Sequence, residues 1–383
     1  MSWNPRSAMG LKREFLELAL REGANRRELC RRLGISPKTG YELLKRHAQE
    51  GMQACTPRSS KPHKSPSKTA GKMEDLIVQL RQQHPSWGGR KIERRLLDLG
   101  HEGVPRPSTI TDILHRNGLV TREASEASQH WTRFEHGAPN DLWQIDFKGH
   151  FQTNAGTCYP LTLLDDHSRF NLALNACSGM STEHVKSSLH SVFQRYGMPA
   201  RINADNGSPW GSPSAGGGGL SELTIWLVRM GIRISHSRPY HPQTNGKLER
   251  FHRSLKVELL NGRCYSDLEQ VQTAFERWRE VYNHQRPHEG IEMQTPMTRY
   301  AASTRSYPSQ LEPIEYLPDD IVITVGWNGF IKFKGRKLRT STALHRLPIA
   351  VRPDPNNDGC YNLYFCHQRF MRLDLNDTPP LNP

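Results

Sequence analysis

The chain has 383 residues, long enough for two to four domains. Its formal net charge is +14 and its pI about 9.6, which points to a polyanionic partner. Mean hydropathy is −0.71 and no apolar run approaches the length of a membrane-spanning helix, so such a span is excluded. The start, Met1-Ser-Trp-Asn-Pro-Arg6, lacks the apolar stretch of a secretory signal, and a cytoplasmic, nucleoid-associated protein is expected. The cysteines at 30, 55, 158, 177, 264, 360 and 366 show no C-x-x-C pair and no histidine at finger spacing. Reduced thiols are expected, with neither zinc nor a disulfide framework.

Residues 1–50 read as three short helices. Leu11–Glu22 is amphipathic, Arg26–Leu33 follows the cap residue Asn25 and ends at Gly34, and Ser36-Pro37 opens a third helix to about His47. This is a helix-turn-helix layout whose last helix enters the major groove. Lys38, Thr39, Tyr41, Lys45 and Arg46 are expected to face DNA; the total charge favours this over a purely structural bundle. Residues 51–72 form a basic linker rich in Ser, Pro and Lys, with Arg58, Lys61, Lys64, Lys68 and Lys72 and no acid. Residues 73–122 repeat the helical layout without its sequence: Met73–Gln83, Lys91–Leu99 and a third helix from Pro107-Ser108. Arg90, Lys91, Arg94 and Arg95 crowd the middle helix, and Arg90 and Arg94 are expected DNA contacts.

Between 139 and 302 strands alternate with helices, which implies an α/β sheet. Leu142-Trp-Gln-Ile-Asp146-Phe-Lys reads as a strand, and a carboxylate inside it is costly unless it serves a site or a partner. Cys158–Leu164 and Phe170–Ala176 flank Asp165 and Asp166, read as hairpin-turn residues. Glu183–Tyr196 is a predicted helix. Arg201-Ile-Asn-Ala-Asp205-Asn-Gly207 is a short strand ending in a turn, which alone reads as an ordinary Asp-Asn-Gly turn.

After Ile232–Ser235 comes His241-Pro-Gln-Thr-Asn-Gly246-Lys-Leu-Glu249, in which Thr244 or Asn245 can cap a helix. Leu248, Phe251, Leu255 and Leu259 form its buried stripe, with Glu249, Arg253 and Lys256 on a second stripe. Taken alone, that second stripe reads as a solvated, ion-paired face. Three carboxylates converging from strand, strand end and helix would instead repel unless cations neutralise them, and such hard oxygen donors suit Mg²⁺ or Mn²⁺. A final helix is expected over Asp267–Asn283. Residues 315–383 change texture: short β-rich runs at Ile321–Val325, Gly329–Phe333, Lys337–Thr340 and Tyr361–Phe365 predict a small β-barrel. Phe330, Lys332, Lys334, Arg336, Lys337 and Arg339 would give it a DNA surface.

Five motifs in order carry a resemblance. They are Trp143-Gln-Ile-Asp146, Asp165-Asp-His-Ser-Arg169, Asp205-Asn-Gly207, His241 through Glu249-Arg250, and Tyr282-Asn-x-x-Arg286-Pro-His288 followed by Thr295-Pro296. The stretch from about 139 to 300 resembles the DDE transposases of bacterial insertion sequences, whose catalytic core is similar to retroviral integrase. The spacing from Asp205 to Glu249 exceeds the family's usual one, and the loop 208–219 with its run Gly216–Gly219 accommodates the excess as a flap. The resemblance implies a multidomain chain: tandem all-α helix-turn-helix units, an α/β RNase H-like catalytic core and a C-terminal small β-barrel. It implies Asp146, Asp205 and Glu249 as catalytic residues and ligands of two Mg²⁺ or Mn²⁺ ions, with Arg253 and Lys256 holding the DNA backbone. Asn206, His241 and Lys247 are weaker candidates for DNA contact, and His241 reads better as a loop residue. The implied activity is binding of terminal repeats, 3′-end cleavage and joining to target DNA by a multimer. A metal-dependent endonuclease and a transposase-derived regulator are the alternatives.

Overall fold

The computed structural model describes residues 8–56, 69–120, 135–205, 207–211, 220–236 and 246–376. The linker cations Arg58, Lys61, Lys64 and Lys68, the candidates Asn206 and His241, the caps Thr244 and Asn245, the glycine run 216–219 and the tail from 377 lie outside them. The chain divides into two compact units, residues 1–68 and 69–383.

The first unit holds α1 (Ala8–Ala19), α2 (Arg26–Arg32) and α3 (Pro37–Glu50). The expected caps form: the Asn25 side chain accepts from the Glu28 N–H at 3.2 Å and Ser36 Oγ from the Thr39 N–H at 3.1 Å. Phe15, Leu16, Ala19, Cys30 and Leu43 make the core. Gly40 is needed there, because a Cβ would stand 2.6 Å from Cys30 Sγ and 2.8 Å from Phe15 Cζ. Residues Gly51–Cys55 are not linker but a 3₁₀ turn that buries Ala54 and Cys55 in this core. Lys38, Thr39, Tyr41 and Lys45 are exposed on α3.

The second unit begins with α4 (Gly71–Gln83), α5 (Gly89–Asp98) and α6 (Pro107–Arg116), packed around Ile77, Trp87, Ile92, Leu96, Ile110, Ile113 and Leu114. Then come β1 (Trp143–Phe147), β2 (Phe151–Thr153), β3 (Gly156–Asp165), β4 (Asn171–Cys177), α7 (Thr182–Tyr196), β5 (Arg201–Ala204), α8 (Glu222–Arg229) and β6 (Arg233–His236). After these follow α9 (Gly246–Leu255), α10 (Leu268–His284) and α11 (Pro296–Arg299). β1 lies between antiparallel β3 and parallel β5, β6 extends the parallel side, and β2 and β4 pair with β3. Three antiparallel strands joined to parallel ones, with helices on both faces, are the RNase H-like arrangement. Strand alternation sorts the side chains. Trp143, Ile145, Phe147, Ile202 and Ala204 pack toward α7 and α8. Cys158, Leu164 and Leu174 pack against Leu248, Phe251 and Leu255 of α9 and Phe275 of α10.

The C-terminal region departs from the expected barrel. β7 (Ile321–Thr324), β10 (Pro348–Pro353), β11 (Cys360–Phe365) and β12 (Gln368–Asp374) form one antiparallel sheet in the order β12-β11-β10-β7. β8 (Phe330–Phe333) and β9 (Arg336–Arg339) pair only with each other. In the turn before β8 the Gly329 N–H bonds the Gly326 carbonyl at 2.9 Å, and Gly329 sits at φ +78° with a Cβ position only 2.7 Å from the Ser341 backbone, a place only glycine fills without strain. Ile331 and Phe333 then share one core with Ile349, Val351, Leu363, Phe365 and with Ile225 and Val228 of α8.

α9 runs on into a π-helical turn, Lys256–Leu260, whose Glu258 joins four segments. Its Oε1 accepts from Ser86 Oγ at 2.8 Å and from Arg286 Nε at 2.9 Å, and its Oε2 from Trp278 Nε1 at 3.0 Å. Burial alone would raise this carboxyl, but Arg286 and the hydrogen bonds hold it below the ordinary range. Glu258→Ala would leave the nearly buried Arg286 guanidinium without its partner, and a loss of about 3–5 kcal/mol in urea denaturation is expected. Ser86→Ala should lose only about 1 kcal/mol, the worth of one hydrogen bond.

Candidate catalytic site: three carboxylates on one face of the sheet

The register of two neighbouring strands sets the first pair. β1 and β5 run parallel with Trp143 opposite Ile202 and Gln144 opposite Asn203. Asp146 and Asp205 each lie two residues beyond the last pair, toward the C-terminal ends of adjacent parallel strands. Period-2 alternation puts both on the face opposite Ile145 and Ala204, the face that α9 covers. Glu249 stands exposed in the first turn of α9, one residue past Leu248, which is buried against the sheet.

The electrostatics register the convergence. The Asp146 carboxyl is pushed up to about 7, by burial first, then by the Asp205 carboxylate, with Glu249 adding to the shift. Its only offset is a hydrogen bond from the Phe147 N–H, 2.8 Å from Asp146 Oδ1. Among the described residues no three acidic, imidazole or thiol groups close into a ready-made metal cluster. The carboxylates are near enough to repel and stand apart as like charges do. All three donors are hard oxygens, and their repulsion has the sign that a divalent cation relieves. The residues therefore fit Mg²⁺ or Mn²⁺.

α9 is tied to the sheet beside these groups. Thr162, opposite Asp146 on β3, donates its hydroxyl to the Asp146 carbonyl at 2.9 Å and contacts His252 Nε2 at 2.8 Å. The hydroxyl proton is already committed, so Nε2 of His252 is the donor in that contact. Burial, and then Lys148, push His252 down to about 3, so the imidazole is neutral. At the start of α9, Lys247 pairs with Asp166, which also accepts from Gln144 Nε2 at 2.8 Å and from the His136 N–H at 3.0 Å. Lys247, a weaker candidate for DNA contact, thus has its ammonium paired with a buried carboxylate. Asp165 and Asp166 are structural, as read, but buried; Asp165 accepts from the Ser168 hydroxyl at 2.6 Å and the Asn140 N–H at 2.8 Å.

The other candidates fall into two groups. Arg253 and Lys256 are exposed. Lys148 was missed: it sits two residues past Asp146 on the same strand face, and burial and nearby Lys256 both depress its ammonium. The alternation of β1 is the signal that points to it. On α5, Arg90 is exposed and Arg94 pairs with Asp98 at 2.9 Å. Lys91 and Arg95 turn inward: Arg95 donates to Gln285 at 3.2 Å, and burial followed by Arg286 pushes Lys91 down to about 8. The crowded cations of that helix are thus divided between solvent and the catalytic core.

The Asp146 shift carries a sign. A carboxyl whose folded value is raised favours the folded state fully only below its unfolded value, near 4, and that contribution is lost as pH rises through about 7. In EDTA, Asp146→Asn should therefore melt above the unaltered protein at pH 8, with the gap shrinking as pH falls toward 4. Each 1 kcal/mol relieved corresponds to about 2–4 °C in a thermal melt.

The chain is similar to known proteins along most of its length. Residues 136–242 and 230–296 match the integrase core domain family, 39–114 a homeodomain-like domain, and 320–380 the C-terminal domain of IS481 family transposases. A 31.7 kDa protein of insertion element IS407 from Burkholderia multivorans is 23% identical over 299 residues, covering 75% of this chain and 95% of that one. The transposase for insertion sequence element IS904 from Lactococcus lactis is 25% identical over 253 residues, covering 61% and 96%. Among solved structures, a chain of the simian T-cell lymphotropic virus intasome is similar over 78% of this chain and 96% of that chain, at 16% identity and a TM-score of 0.38. No helix among the described residues is long and apolar enough to cross a membrane. With an integrase core, a homeodomain-like segment before it, a transposase C-terminal domain after it and insertion-element proteins among its relatives, the chain is a polynucleotidyl transferase of the transposase and integrase kind.

Proposed function

We propose that the chain binds the terminal repeats of its element, cleaves at the 3′ ends and joins them to target DNA by divalent-metal-dependent phosphoryl transfer. The observation that carries this is the position of Asp146 and Asp205 at the ends of adjacent parallel strands, on the face covered by the helix that carries Glu249, with both neighbours raising the Asp146 carboxyl. Two Mg²⁺ or Mn²⁺ ions, when bound, supply charge neutralisation at the attacking and leaving oxygens. Asp146 would hold both ions, and Asp205 and Glu249 would hold one each. The first reaction uses water as nucleophile and frees a 3′-OH at the element end; the second uses that 3′-OH against target DNA. No protein nucleophile is required by either step.

Arg253 and Lys256, exposed on and just after α9, and Lys148, two residues past Asp146, are the cations assigned to the sugar–phosphate backbone. The exposed Lys38, Tyr41 and Lys45 of α3 and Arg90 of α5 are the candidates for reading the repeats. Two ends must be joined together, so a homo-multimer on DNA is the working form.

The test uses labelled duplexes carrying the DNA that flanks the gene, supercoiled plasmid and MgCl₂. Joined products are expected. Asp146→Asn, Asp205→Asn and Glu249→Gln should each cut joining at least about 100-fold, the scale of losing one electrostatic stabiliser of the transition state, with duplex binding retained. Nicking without joining would point to an endonuclease, and a mobility shift without either would point to a regulator.

A further inference from the structure

α9 carries Glu249 on its exposed side, while its buried stripe is apolar, and apolar packing fixes a helix face better than its position along its axis. Two polar ties supply what that packing leaves loose. At the first turn, the Lys247 ammonium pairs with Asp166 and also donates to the Asp166 carbonyl at 3.3 Å. Asp166 is itself fixed by Gln144 of β1 and by the His136 N–H. One turn later, His252 Nε2–H donates to Thr162 Oγ1, whose proton goes to the carbonyl of Asp146. Both ties end on β1 or on its partner strand, and Glu249 lies between them in sequence. The second tie reaches the backbone of Asp146 itself.

We propose that Lys247 and His252 are positioning residues, a two-point clamp that sets the distance between Glu249 and Asp146. The inference rests on the reading of those carboxylates as metal ligands. Neither residue touches substrate; each acts through the placement of α9. The energetic logic is that of any ligand set whose carboxylates repel. Unless their carriers are held, the helix relaxes away from the strand, and the ion must then draw it back at a cost to affinity.

The experiment uses the full chain without DNA and titrates MnCl₂, reading free Mn²⁺ by electron paramagnetic resonance and amide exchange across residues 246–255 by mass spectrometry. Thr162→Val removes the hydroxyl at nearly constant volume, and Lys247→Met removes the charge while keeping the stem. Each should weaken Mn²⁺ binding about 10-fold or more and speed exchange in α9, whereas Lys247→Arg should stay close to the unaltered protein. Mn²⁺ affinity and exchange unchanged in both Thr162→Val and Lys247→Met would overturn the clamp. So would a loss of binding that only tracks the unfolded fraction in a thermal melt. If the unaltered chain binds Mn²⁺ no better than Glu249→Gln, the metal reading beneath the inference fails instead.

Discussion

The parallel pairing of β1 with β5 is the constraint on which the rest depends. Once Gln144 stands opposite Asn203, Asp146 and Asp205 must emerge side by side on the same face, because strand side chains alternate strictly. A one-residue slip of either strand would send that strand's carboxylate into the apolar layer under α7 and α8, among Trp143, Ile202 and Phe193. That layer is what makes the register unique. The core therefore enforces a juxtaposition of like charges that the carboxylates alone would avoid. The raised Asp146 carboxyl is the trace of that conflict.

Much of this was legible in the sequence, for a physical reason. A carboxylate in a β-prone run such as Trp143–Phe147 is costly, so its presence signals a use. The same holds for the amphipathic stripe of α9, which puts Leu248, Phe251 and Leu255 inward and leaves Glu249 at the rim. Periodicity reports a face, however, and not the partner on that face. Lys247 looked like a free cation because Asp166 is distant in sequence, and only the fold brings the two together. Lys91 and Arg95 add to the basic crowding of the same helix, yet Glu258 and Gln285 draw them toward the core. The C-terminal strands were recognisable from alternation and turns. Whether they close depends on which strands pair, which β-propensity does not encode.

Several residues of the recurring motifs turn out to hold the frame. Asn283 accepts from the Asn171 N–H at 2.8 Å and donates to the Asn171 carbonyl at 3.0 Å, fastening α10 to β4 as a backbone strand would. Arg286 reaches Glu258 and Ser254, and through Glu258 the loop before α5. Arg169 and Arg299 share Glu135 at 3.1 and 2.6 Å. A motif in such a chain thus marks either a charge used in chemistry or a buried polar bond that fixes an element. Partners, more than burial, tell them apart: Asn283, Arg286 and Asp165 are buried in hydrogen bonds, whereas Glu249 and Arg253 are exposed and Asp146, though largely buried, faces like charges.

The distribution of stability follows from the same division. Around the carboxylates the fold is braced on each described side. α9 rests on the Leu248, Phe251 and Leu255 stripe, α4–α6 are held through Ser86 and Arg95, and the C-terminal sheet shares its core with α8. These contacts are apolar or hydrogen-bonded. An unrelieved electrostatic cost remains at Asp146, where burial and two like charges act together. A protein under selection for stability alone would replace that residue with a neutral one. Its retention, inside so well-braced a frame, is intelligible if the cost is recovered when positive charge and a polyanion arrive together, and that is the pairing a strongly basic chain with an acidic centre is built to receive.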